Sequence, residues 1–477
     1  MRELVAALPP LVAAGLLLRG VAAPRAAAAA LAVAAASLSA FPTPWPVLLE
    51  SQHRALTTGL EVTLITLGGL LFREVLAASR AEAQLGDWAA ALSGDPVRRV
   101  LLVALGVVPF TESAAGFGVG AIVGIPLLLR MGLPPATAAL VALLGLVAVP
   151  WGGLAPGTLV AARLSGISFQ RLGELSAALS LPVFLVCGFS ALAAVVGARR
   201  ALLRAHELAL VAACLWLGIA AANRLAGTAL AGVLGGAVAI GGSAALIRVH
   251  EGRVPRPTPS QLRALSPYLA LVALLLLSRA VAGLGRSLAA TGTGRALSAA
   301  SSPGLWLLLA CIAAALLVGL DRRALAGAVR RSLARLRPVS LATIAFLATG
   351  SLMTAAGMSA ALAEAASRLG PAYLLAAPWL GGLGGFLTGS NTGANAMFAA
   401  AQAEAAVRLG WPPDRLLAVH NVAASLLTMA SAPRVTLALS LLDGERPEPG
   451  LFRRLLATDA AALALLSLLA AVAVPGR

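Results

Sequence analysis

The chain has 477 residues, of which 36 are basic, 19 are acidic and 59% are hydrophobic; its formal net charge is +17 and its mean hydropathy is +0.91. Charged residues make up only 12% of the chain, against about 25% in ordinary soluble domains, so the composition excludes a water-soluble globular protein. Stretches of about 20 apolar residues, the length of a membrane-spanning helix, recur from end to end, and the alternating pattern of an outer-membrane barrel is missing. The sequence therefore predicts an all-α polytopic membrane helical bundle, with residues 1–477 forming a single integral membrane domain.

The apolar stretches predict about 12 to 14 membrane segments. The first, within residues 1–23, has a charged start that is also typical of a signal peptide, but the many spans behind it favour a retained first span in a multi-pass protein of the cell (inner) membrane. Two stretches rich in small residues, near 111–130 and 389–407, predict re-entrant or discontinuous helices. The other candidate segments lie near residues 4–18, 26–49, 56–76, 98–110, 133–150, 176–198, 205–222, 226–247, 264–284, 303–320, 339–357, 371–388, 413–430 and 454–474.

The basic residues are all arginines, and they lie in the short gaps between apolar stretches. That placement favours topology signals over a nucleic-acid-binding surface, so we predict no nucleic-acid partner. The three cysteines, Cys187, Cys214 and Cys311, each lie inside an apolar stretch, and an odd number without a spacing motif argues against disulfides and against a metal site. We expect no metal ion and no other cofactor, and the lipid bilayer is the predicted environment.

Arginines cluster at three places in the middle of the chain, and two candidate spans separate each cluster from the next. The clusters therefore fall on one side of the membrane, which the positive-inside rule assigns to the cytoplasm. Residues 249–262, which contain three prolines, are the predicted linker between two halves. The clusters are Arg199, Arg200 and Arg204; Arg248, Arg253, Arg256 and Arg263; and Arg322, Arg323, Arg330, Arg331, Arg335 and Arg337.

One sequence pattern occurs twice, 278 residues apart (408 − 130). Residues 130–135 (RMGLPP) match residues 408–413 (RLGWPP), and each copy follows a run of small residues and precedes an apolar helix that ends in a break. Two halves with the same plan are typical of secondary transporters, although chance similarity in a chain rich in Ala, Gly and Leu is the alternative. We predict two inverted repeats with cores at residues 56–165 and 339–440.

The runs of small residues predict a binding site for a small anion. Gly, Ser and Asn clusters hold a regular helix poorly, and unwound backbone inside a membrane is tolerated only where protein or water satisfies it. The helix N-termini at such breaks offer free N–H groups and a positive dipole end, which suit a carboxylate. Tight helix packing is the alternative, but the second run has more polar side chains than packing needs: Ser390, Asn391, Thr392 and Asn395.

Several ionisable residues lie near these breaks or within spans. Glu112 is beside the first break in an apolar region, where burial penalises the charged carboxylate; we interpret it as a proton carrier, with a carboxylate that faces the headgroups as the alternative. Arg434 follows the second break and is either a donor fork for a substrate carboxylate or an arginine that reaches the membrane interface. His420 could titrate near neutral pH and join in proton coupling, or it could be a structural hydrogen-bonding group. We expect Glu61 to pair with an arginine such as Arg54.

The two runs also resemble the motifs of a known family. Residues 110–118 (FTESAAGFG) are similar to the EGAAGFG motif of the L-lactate permease family, and residues 386–398 (FLTGSNTGANAMF) are similar to its FLTGSNT-x-x-N-x-x-F motif. The likeness is strongest over residues 56–165 and 339–460, so the chain resembles a divergent member of that family. The resemblance implies proton-coupled symport of lactate and glycolate. Besides the polar residues and Arg434 above, the implied substrate-binding residues are Ser113, Gly116, Phe117, Gly118 and Asn421.

The chain departs from the family pattern near both breaks. Residues 119–120 (VG) stand where the family usually has Thr-Pro. Thr428 and residues 432–434 (APR) stand where it tends to have Lys and Ser-Pro-Gln. Because these changes touch both elements of the expected site, transport of another organic anion such as a dicarboxylate, or export, remains the alternative function.

Two other functional classes fit the sequence less well. A membrane-embedded enzyme would need a nucleophile with a nearby base, a paired Asp motif or a His-x-x-x-His motif, and the sequence has none of these; we expect no enzyme activity. A passive channel is less consistent with discontinuous repeats beside a buried glutamate. We therefore predict a secondary active transporter of small monocarboxylates that works by proton symport with alternating access. Its predicted partners are a small organic anion and protons, and homo-oligomerisation stays open.

Overall fold

A computed structural model gives the fold of the chain. It describes residues 2–79, 81–252, 254–288, 291–293, 297, 300–442 and 450–475, and these residues form helices joined by short loops, without a strand among them. The prediction of an all-α bundle is therefore confirmed for the described part of the chain.

The helices of the first half are α1 (Arg2–Leu18), α2 (Ala23–Ala36), α3 (Trp45–Ala78), α4 (Ala81–Ala90), α5 (Pro96–Leu101), α6 (Val108–Ala115), α7 (Val119–Arg130), α8 (Pro135–Leu144), α9 (Pro156–Ser165), α10 (Phe169–Val196), α11 (Ala198–Leu203), α12 (Ala205–Leu225) and α13 (Thr228–Glu251). Those of the second half are α14 (Pro259–Ser287), α15 (Pro303–Val318), α16 (Arg322–Ala355), α17 (Met358–Ser367), α18 (Tyr373–Thr388), α19 (Asn391–Arg408), α20 (Pro413–Leu427), α21 (Ala432–Leu439) and α22 (Gly450–Ala473). Tighter or wider helical turns include a π-helical segment, Leu102–Val107, and 3₁₀ segments, Leu146–Leu154 and Thr428–Ala430.

Eight of the described helices are long and apolar enough to cross a membrane. They are α3, α10, α12, α13, α14, α16, the stretch Pro413–Leu439 and α22. The bent pair Pro135–Leu144 and Leu146–Leu154, which turns by 58°, would be a ninth. This number is lower than the number of predicted segments because several of those segments are broken into helices too short to cross alone. Shorter apolar helices are Ala23–Ser39, Val119–Arg130 and Pro303–Val318.

The two stretches that carry the repeated pattern have the same order of elements. In the first, a break follows α6, then α7 and α8 are joined by a tight loop, a 3₁₀ segment turns the chain and α9 continues. In the second, a break follows α18, then α19, a tight loop and α20 follow, and a 3₁₀ turn leads into α21. The repeated motif at residues 130–135 and 408–413 explains the tight loops. Its glycines, Gly132 and Gly410, have positive φ (84° and 73°), and its last proline begins the next helix.

Ion pairs and hydrogen bonds place the described residues of the three arginine clusters toward one end of the bundle. Arg98 on α5 is ion-paired with Glu207 on α12 (3.2 Å) and with Glu251 at the end of α13 (3.1 Å), next to the first two clusters. Arg263 at the start of α14 donates from Nε to the backbone oxygen of Leu317 on α15 (3.1 Å), just before the third cluster. We refer to this end of the molecule as the arginine-rich end.

Asp95 fixes the N-terminus of α5 at the same end. Its carboxylate accepts hydrogen bonds from the backbone N–H groups of Val97 (2.8 Å) and Arg98 (3.3 Å), and it is ion-paired with Arg204 (3.3 Å). Burial alone would raise the pKa of Asp95, but these N–H groups and the neighbouring arginines outweigh it and hold the pKa below its ordinary value. Asp95 therefore anchors the start of the helical segment that leads to the first break.

The predicted linker between the halves, residues 249–262, is short in the structure. Helix α13 ends at Glu251 and α14 begins at Pro259, where Thr258 and Gln261 form a capping box. Arg253, which belongs to this segment and to the second arginine cluster, lies outside the described residues.

Candidate functional site

A cavity of about 320 Å³ lies where the breaks of the two stretches meet. Part of its wall comes from the first stretch (α6–α9), part from the second stretch (α18–α21) and part from α16. The cavity brings together seven residues that the sequence predicts for the site: Glu112, Gly116, Phe117, Ser390, Asn391, Thr392 and Arg434. Other residues of its wall are Gly152, Pro156, Gly157, Pro338, Thr343, Phe346, Thr388 and Gly389. We refer to it as the central cavity.

The first break is a run of three residues with positive φ: Gly116 (73°), Phe117 (56°) and Gly118 (85°). A phenylalanine rarely adopts this conformation, which costs of order 1–3 kcal/mol. Gly116 is required for a second reason, because a Cβ there would lie 2.9 Å from the Cα of Gly153 in the 3₁₀ segment. Small residues therefore let the two breaks of the first stretch touch, and backbone strain is concentrated in the cavity wall.

The break directs N–H groups of α7 at the carboxylate of Glu112. Its Oε1 accepts from the N–H of Gly118 (3.2 Å), its Oε2 accepts from the N–H of Gly120 (3.1 Å), and Oε1 is ion-paired with Nη2 of Arg434 (3.0 Å). Because Glu112 is only 1% exposed, its ionised form depends on these partners. The sequence predicts helix N-termini that are free for a substrate anion, but at α7 the anion is the side chain of Glu112.

Arg434 connects the second stretch to the first. It lies in the first turn of α21 and is 9% exposed, which excludes in this structure the alternative of an arginine at the membrane interface. Its Nη2 holds Glu112, whereas its Nη1 is buried without a hydrogen-bond partner among the described residues. Guanidinium groups favour two parallel hydrogen bonds to a carboxylate, so Nη1 has unused hydrogen-bonding capacity, but in this conformation it packs against Gly118 and is shielded from the cavity.

The second break begins α19 with a side-chain cap. The hydroxyl of Ser390 accepts from the N–H of Gly393 (3.3 Å), and the N–H of Ser390 donates to the hydroxyl of Thr388 (3.2 Å). Asn391 and Thr392 in the first turn of α19 line the central cavity. The positive end of the α19 dipole therefore lies at the cavity that Arg434 also lines.

The sequence profile of the L-lactate permease family matches residues 3–284 and 281–475. The chain belongs to the L-lactate permease family. This confirms the family resemblance drawn from the two motifs, and with the apolar helices it identifies a multi-pass membrane protein.

Curated members of the family match a limited part of the chain. The L-lactate permease of Escherichia coli (strain K12) is 36% identical over 107 residues, which are 22% of this chain and 19% of that protein. The L-lactate permease of Salmonella typhi is 35% identical over the same length. The match thus spans 19% of the relatives' own length.

The fold is similar to that of a solved membrane transporter. The YdaH transporter of Alcanivorax borkumensis superposes with a TM-score of 0.50 at 17% identity, covering 89% of this chain and 86% of that one. At this identity the similarity shows a shared fold only.

A polar network lies behind the cavity wall and holds Asn391 in place. Asn421 is its hub: its Oδ1 accepts from Nδ2 of Asn391 (3.0 Å) and of Asn395 (3.0 Å). Its Nδ2 donates to the hydroxyls of Thr158 (3.0 Å) and Ser176 (3.0 Å). All five side chains are buried, so the network joins α9, α10, α19 and α20, and Asn391 is its member in the cavity wall.

Asn421→Ala is expected to lower the thermal stability of the protein. The substitution removes all these bonds and leaves the amide of Asn391 without its acceptor, while Asn395 keeps its bonds to Asn391; a buried unpaired group costs about 1–3 kcal/mol. Thermal unfolding in detergent measures the effect. Ser425→Ala is the matched control, because Ser425 lies one turn further along α20 and its hydroxyl bonds the Asn421 backbone oxygen (2.9 Å). Equal unfolding temperatures for the two variants would contradict the hub role.

Some predicted site residues lie away from the cavity. Ser113 faces α13, where a Cβ at Gly232 would collide with its hydroxyl. His420 is fully buried, with neither ring nitrogen hydrogen-bonded to any described residue, and its ring lies against Gly381 of α18. Gly118 acts through its N–H group on Glu112. The cavity wall thus contains Glu112 but not His420, the second residue predicted for proton coupling.

Asp459 is a buried carboxyl group that the sequence analysis missed. It lies within α22, is 1% exposed, and neither carboxylate oxygen has a hydrogen-bond partner among the described residues. The signal was present in the sequence, because Asp459 is the single acidic residue in the predicted span 454–474, and acidic residues within spans often mark functional positions. It does not line the central cavity.

The ion pair predicted between Glu61 and Arg54 does not form. Glu61 on α3 pairs with Arg163 on α9 (3.3 Å), while Arg54 pairs with Glu50 (2.8 Å). The reason is geometric: Glu50 and Arg54 are four residues apart on one helix face, and Arg163 comes from a neighbouring helix that the sequence does not place.

Proposed function

We propose that the protein is a secondary transporter that carries small monocarboxylates, such as lactate and glycolate, across the inner membrane. The observation that carries this proposal is Arg434, a buried arginine in the wall of the central cavity, with one guanidinium nitrogen on Glu112 and the other without a hydrogen-bond partner among the described residues. A carboxylate in the central cavity would face Arg434 and the positive end of the α19 dipole, and a rotation of the guanidinium group away from Gly118 would bring Nη1 to it. The family match and the names of the curated relatives point to the same substrate class.

The charges of the cavity favour one carboxylate over two. Among the described residues of its wall, Arg434 is the one cation and Glu112 the one anion. A monocarboxylate can use the free nitrogen of Arg434, whereas the second carboxylate of a dicarboxylate would enter a cavity of about 320 Å³ without a positive partner.

The Glu112–Arg434 pair gives a physical reason for proton symport. The pair is neutral overall, so a bound substrate anion leaves the buried site with a net negative charge, which a low-dielectric interior disfavours. Protonation of Glu112 restores neutrality and releases Nη2, so that both nitrogens of Arg434 can hold the substrate. Anion and proton would then bind together, which couples their movement. His420 is the weaker candidate for the proton, since it lies outside the cavity wall.

The architecture supports alternating access. We propose that residues 56–165 and 339–440 are repeat cores whose breaks form one site, and that the arginine-rich end faces the cytoplasm. Movement of these cores relative to the neighbouring helices would then expose the site to each side in turn.

Uptake of labelled L-lactate into proteoliposomes, with and without an inward proton gradient, tests the proposal. We expect gradient-dependent uptake that excess glycolate inhibits and excess succinate does not. Absence of L-lactate uptake by folded protein would reject this substrate, and inhibition by succinate as strong as that by glycolate would favour the dicarboxylate alternative.

A further inference from the structure

A second cavity of about 560 Å³ lies next to the central cavity, and two helices, α9 and α16, line both. Helix α16 lines the central cavity within residues 338–346 and the second cavity within residues 347–355. Helix α9 lines the central cavity with Pro156 and Gly157 and the second cavity with Arg163 and Leu164. The two cavities therefore lie in sequence along one direction through the bundle.

The cavities lie toward opposite ends of the molecule. On α16, the residues that line the central cavity begin at Pro338, directly after the third arginine cluster. The C-terminal part of α3 reaches the same end of the molecule, because Glu74 is ion-paired with Arg335 of that cluster (2.8 Å). The second cavity is lined by the first half of α3, residues 46–58, and by the last turns of α16. It therefore lies on the side away from the arginine-rich end.

A thin layer of close-packed residues separates the two cavities. Phe346 lines the central cavity and the adjacent Leu347 lines the second one, and both are buried. One turn further on, α16 touches α19: a Cβ at Gly350 would collide with the backbone oxygen of Ala396 and would lie 3.6 Å from the side chain of Leu164. The barrier is formed by α9, α16 and α19, and two of these helices belong to the broken stretches.

The wall of the second cavity contains two arginines, each ion-paired with one glutamate. Two arginines, Arg54 and Arg163, line it with one glutamate, Glu50. The Arg54–Glu50 side chains are 74% and 64% exposed, and Arg163 makes a long contact of 3.3 Å to Glu61. Exposed pairs of this kind hold their partners weakly, so either arginine can exchange a glutamate for a dissolved carboxylate.

We propose that the second cavity is the outer vestibule of the transport path, where Arg163, assisted by Arg54, attracts the organic anion before the barrier opens. A charged recess raises the local concentration of the opposite ion and speeds its association. The inference rests on the proposed function for the identity of the anion, but the position and charge preference of the vestibule can be measured without transport.

Cysteine labelling tests the position. Thr58→Cys places a thiol in the second cavity and Thr343→Cys places one in the central cavity. With membrane-impermeant methanethiosulfonate reagents, we expect Thr58→Cys to react in intact cells and Thr343→Cys to react in inverted membrane vesicles. The unsubstituted protein gives the baseline for labelling of Cys214, which is partly exposed, while Cys187 and Cys311 are buried. Labelling of Thr58→Cys from the cytoplasmic side alone would overturn the proposal.

Reagent charge tests the attraction of anions. On Thr58→Cys we compare a sulfonate-bearing reagent with its trimethylammonium counterpart, and we expect Arg163→Gln to lower the ratio of the two labelling rates several-fold. Arg368→Gln is the matched control, because Arg368 is also an exposed arginine paired with a glutamate, Glu3, and does not line the cavity. A ratio that Arg163→Gln leaves unchanged would overturn the role of Arg163.

Transport kinetics provide a third test of the vestibule. In proteoliposomes, Arg163→Gln is expected to raise the KM for L-lactate several-fold at unchanged kcat, with an effect that shrinks at high ionic strength. If the unsubstituted protein takes up no L-lactate, the proposed function fails while the labelling ratio still decides the vestibule. If the unsubstituted protein takes up L-lactate and Arg163→Gln has a normal KM, the vestibule proposal fails alone.

Discussion

Arg434→Gln is expected to abolish detectable uptake of L-lactate at concentrations near the KM of the unsubstituted protein. The substitution removes the single cation of the central cavity wall among the described residues and leaves the carboxylate of Glu112, 1% exposed, without its counter-charge. Truncating one partner of a buried charge pair costs about 2–5 kcal/mol, which corresponds to roughly a 30-fold or larger rise in the apparent KM. Initial rates over a wide range of substrate concentrations measure the effect.

A second variant separates substrate binding from folding. Arg434→Gln alone should lower the unfolding temperature because it isolates a buried charge, whereas Glu112→Gln combined with Arg434→Gln removes both charges and should restore much of the stability. The double variant should nevertheless fail to transport, since it lacks the guanidinium group. Uptake by the stable double variant at the unsubstituted KM would show that Arg434 is a structural residue only.

Glu112→Gln is expected to abolish accumulation of L-lactate driven by a proton gradient while L-lactate exchange continues. A glutamine resembles the protonated glutamate in charge and shape, so the anion can still bind to Arg434, but no proton can be released with it. Exchange should also lose its dependence on pH. Counterflow and gradient-driven uptake in the same proteoliposomes measure the two activities.

The matched control for this prediction is Glu404→Gln. Glu404 is 43% exposed and pairs only loosely with Arg408 on its own helix, at 3.7 Å, so its substitution should leave both activities intact. Gradient-driven accumulation by Glu112→Gln equal to that of Glu404→Gln would remove Glu112 from the coupling mechanism and direct attention to Asp459 and His420.

The sequence predicted the features of the site that depend on local patterns. Runs of small residues cannot sustain a helix, and the breaks occur where residues 116–118 and 389–390 predict them. The polar side chains after the second break do surround the cavity or its supporting network. The prediction that the arginine clusters share one side also rested on a local pattern, namely the two candidate spans that separate each cluster from the next.

The pairings across the bundle could not be predicted from the sequence. Glu112 and Arg434 are separated by more than half the chain, so the ion pair that defines the cavity depends on how the two stretches pack. The same holds for the Glu61–Arg163 pair, since Glu61 was expected to pair with an arginine such as Arg54 on its own helix, and for Asn421, whose role as the hub is set by four helices at once. Which of the predicted membrane segments cross as one long helix could not be predicted for a related reason, since hydropathy does not show where a broken helix turns back.

An experimental structure of the protein with L-lactate bound would test the central claim most directly. The account predicts density for one lactate in the central cavity, with its carboxylate within hydrogen-bond distance of a guanidinium nitrogen of Arg434 and beside the first turn of α19. Lactate bound elsewhere, with the Glu112–Arg434 pair intact and the central cavity without substrate at saturating concentration, would contradict it.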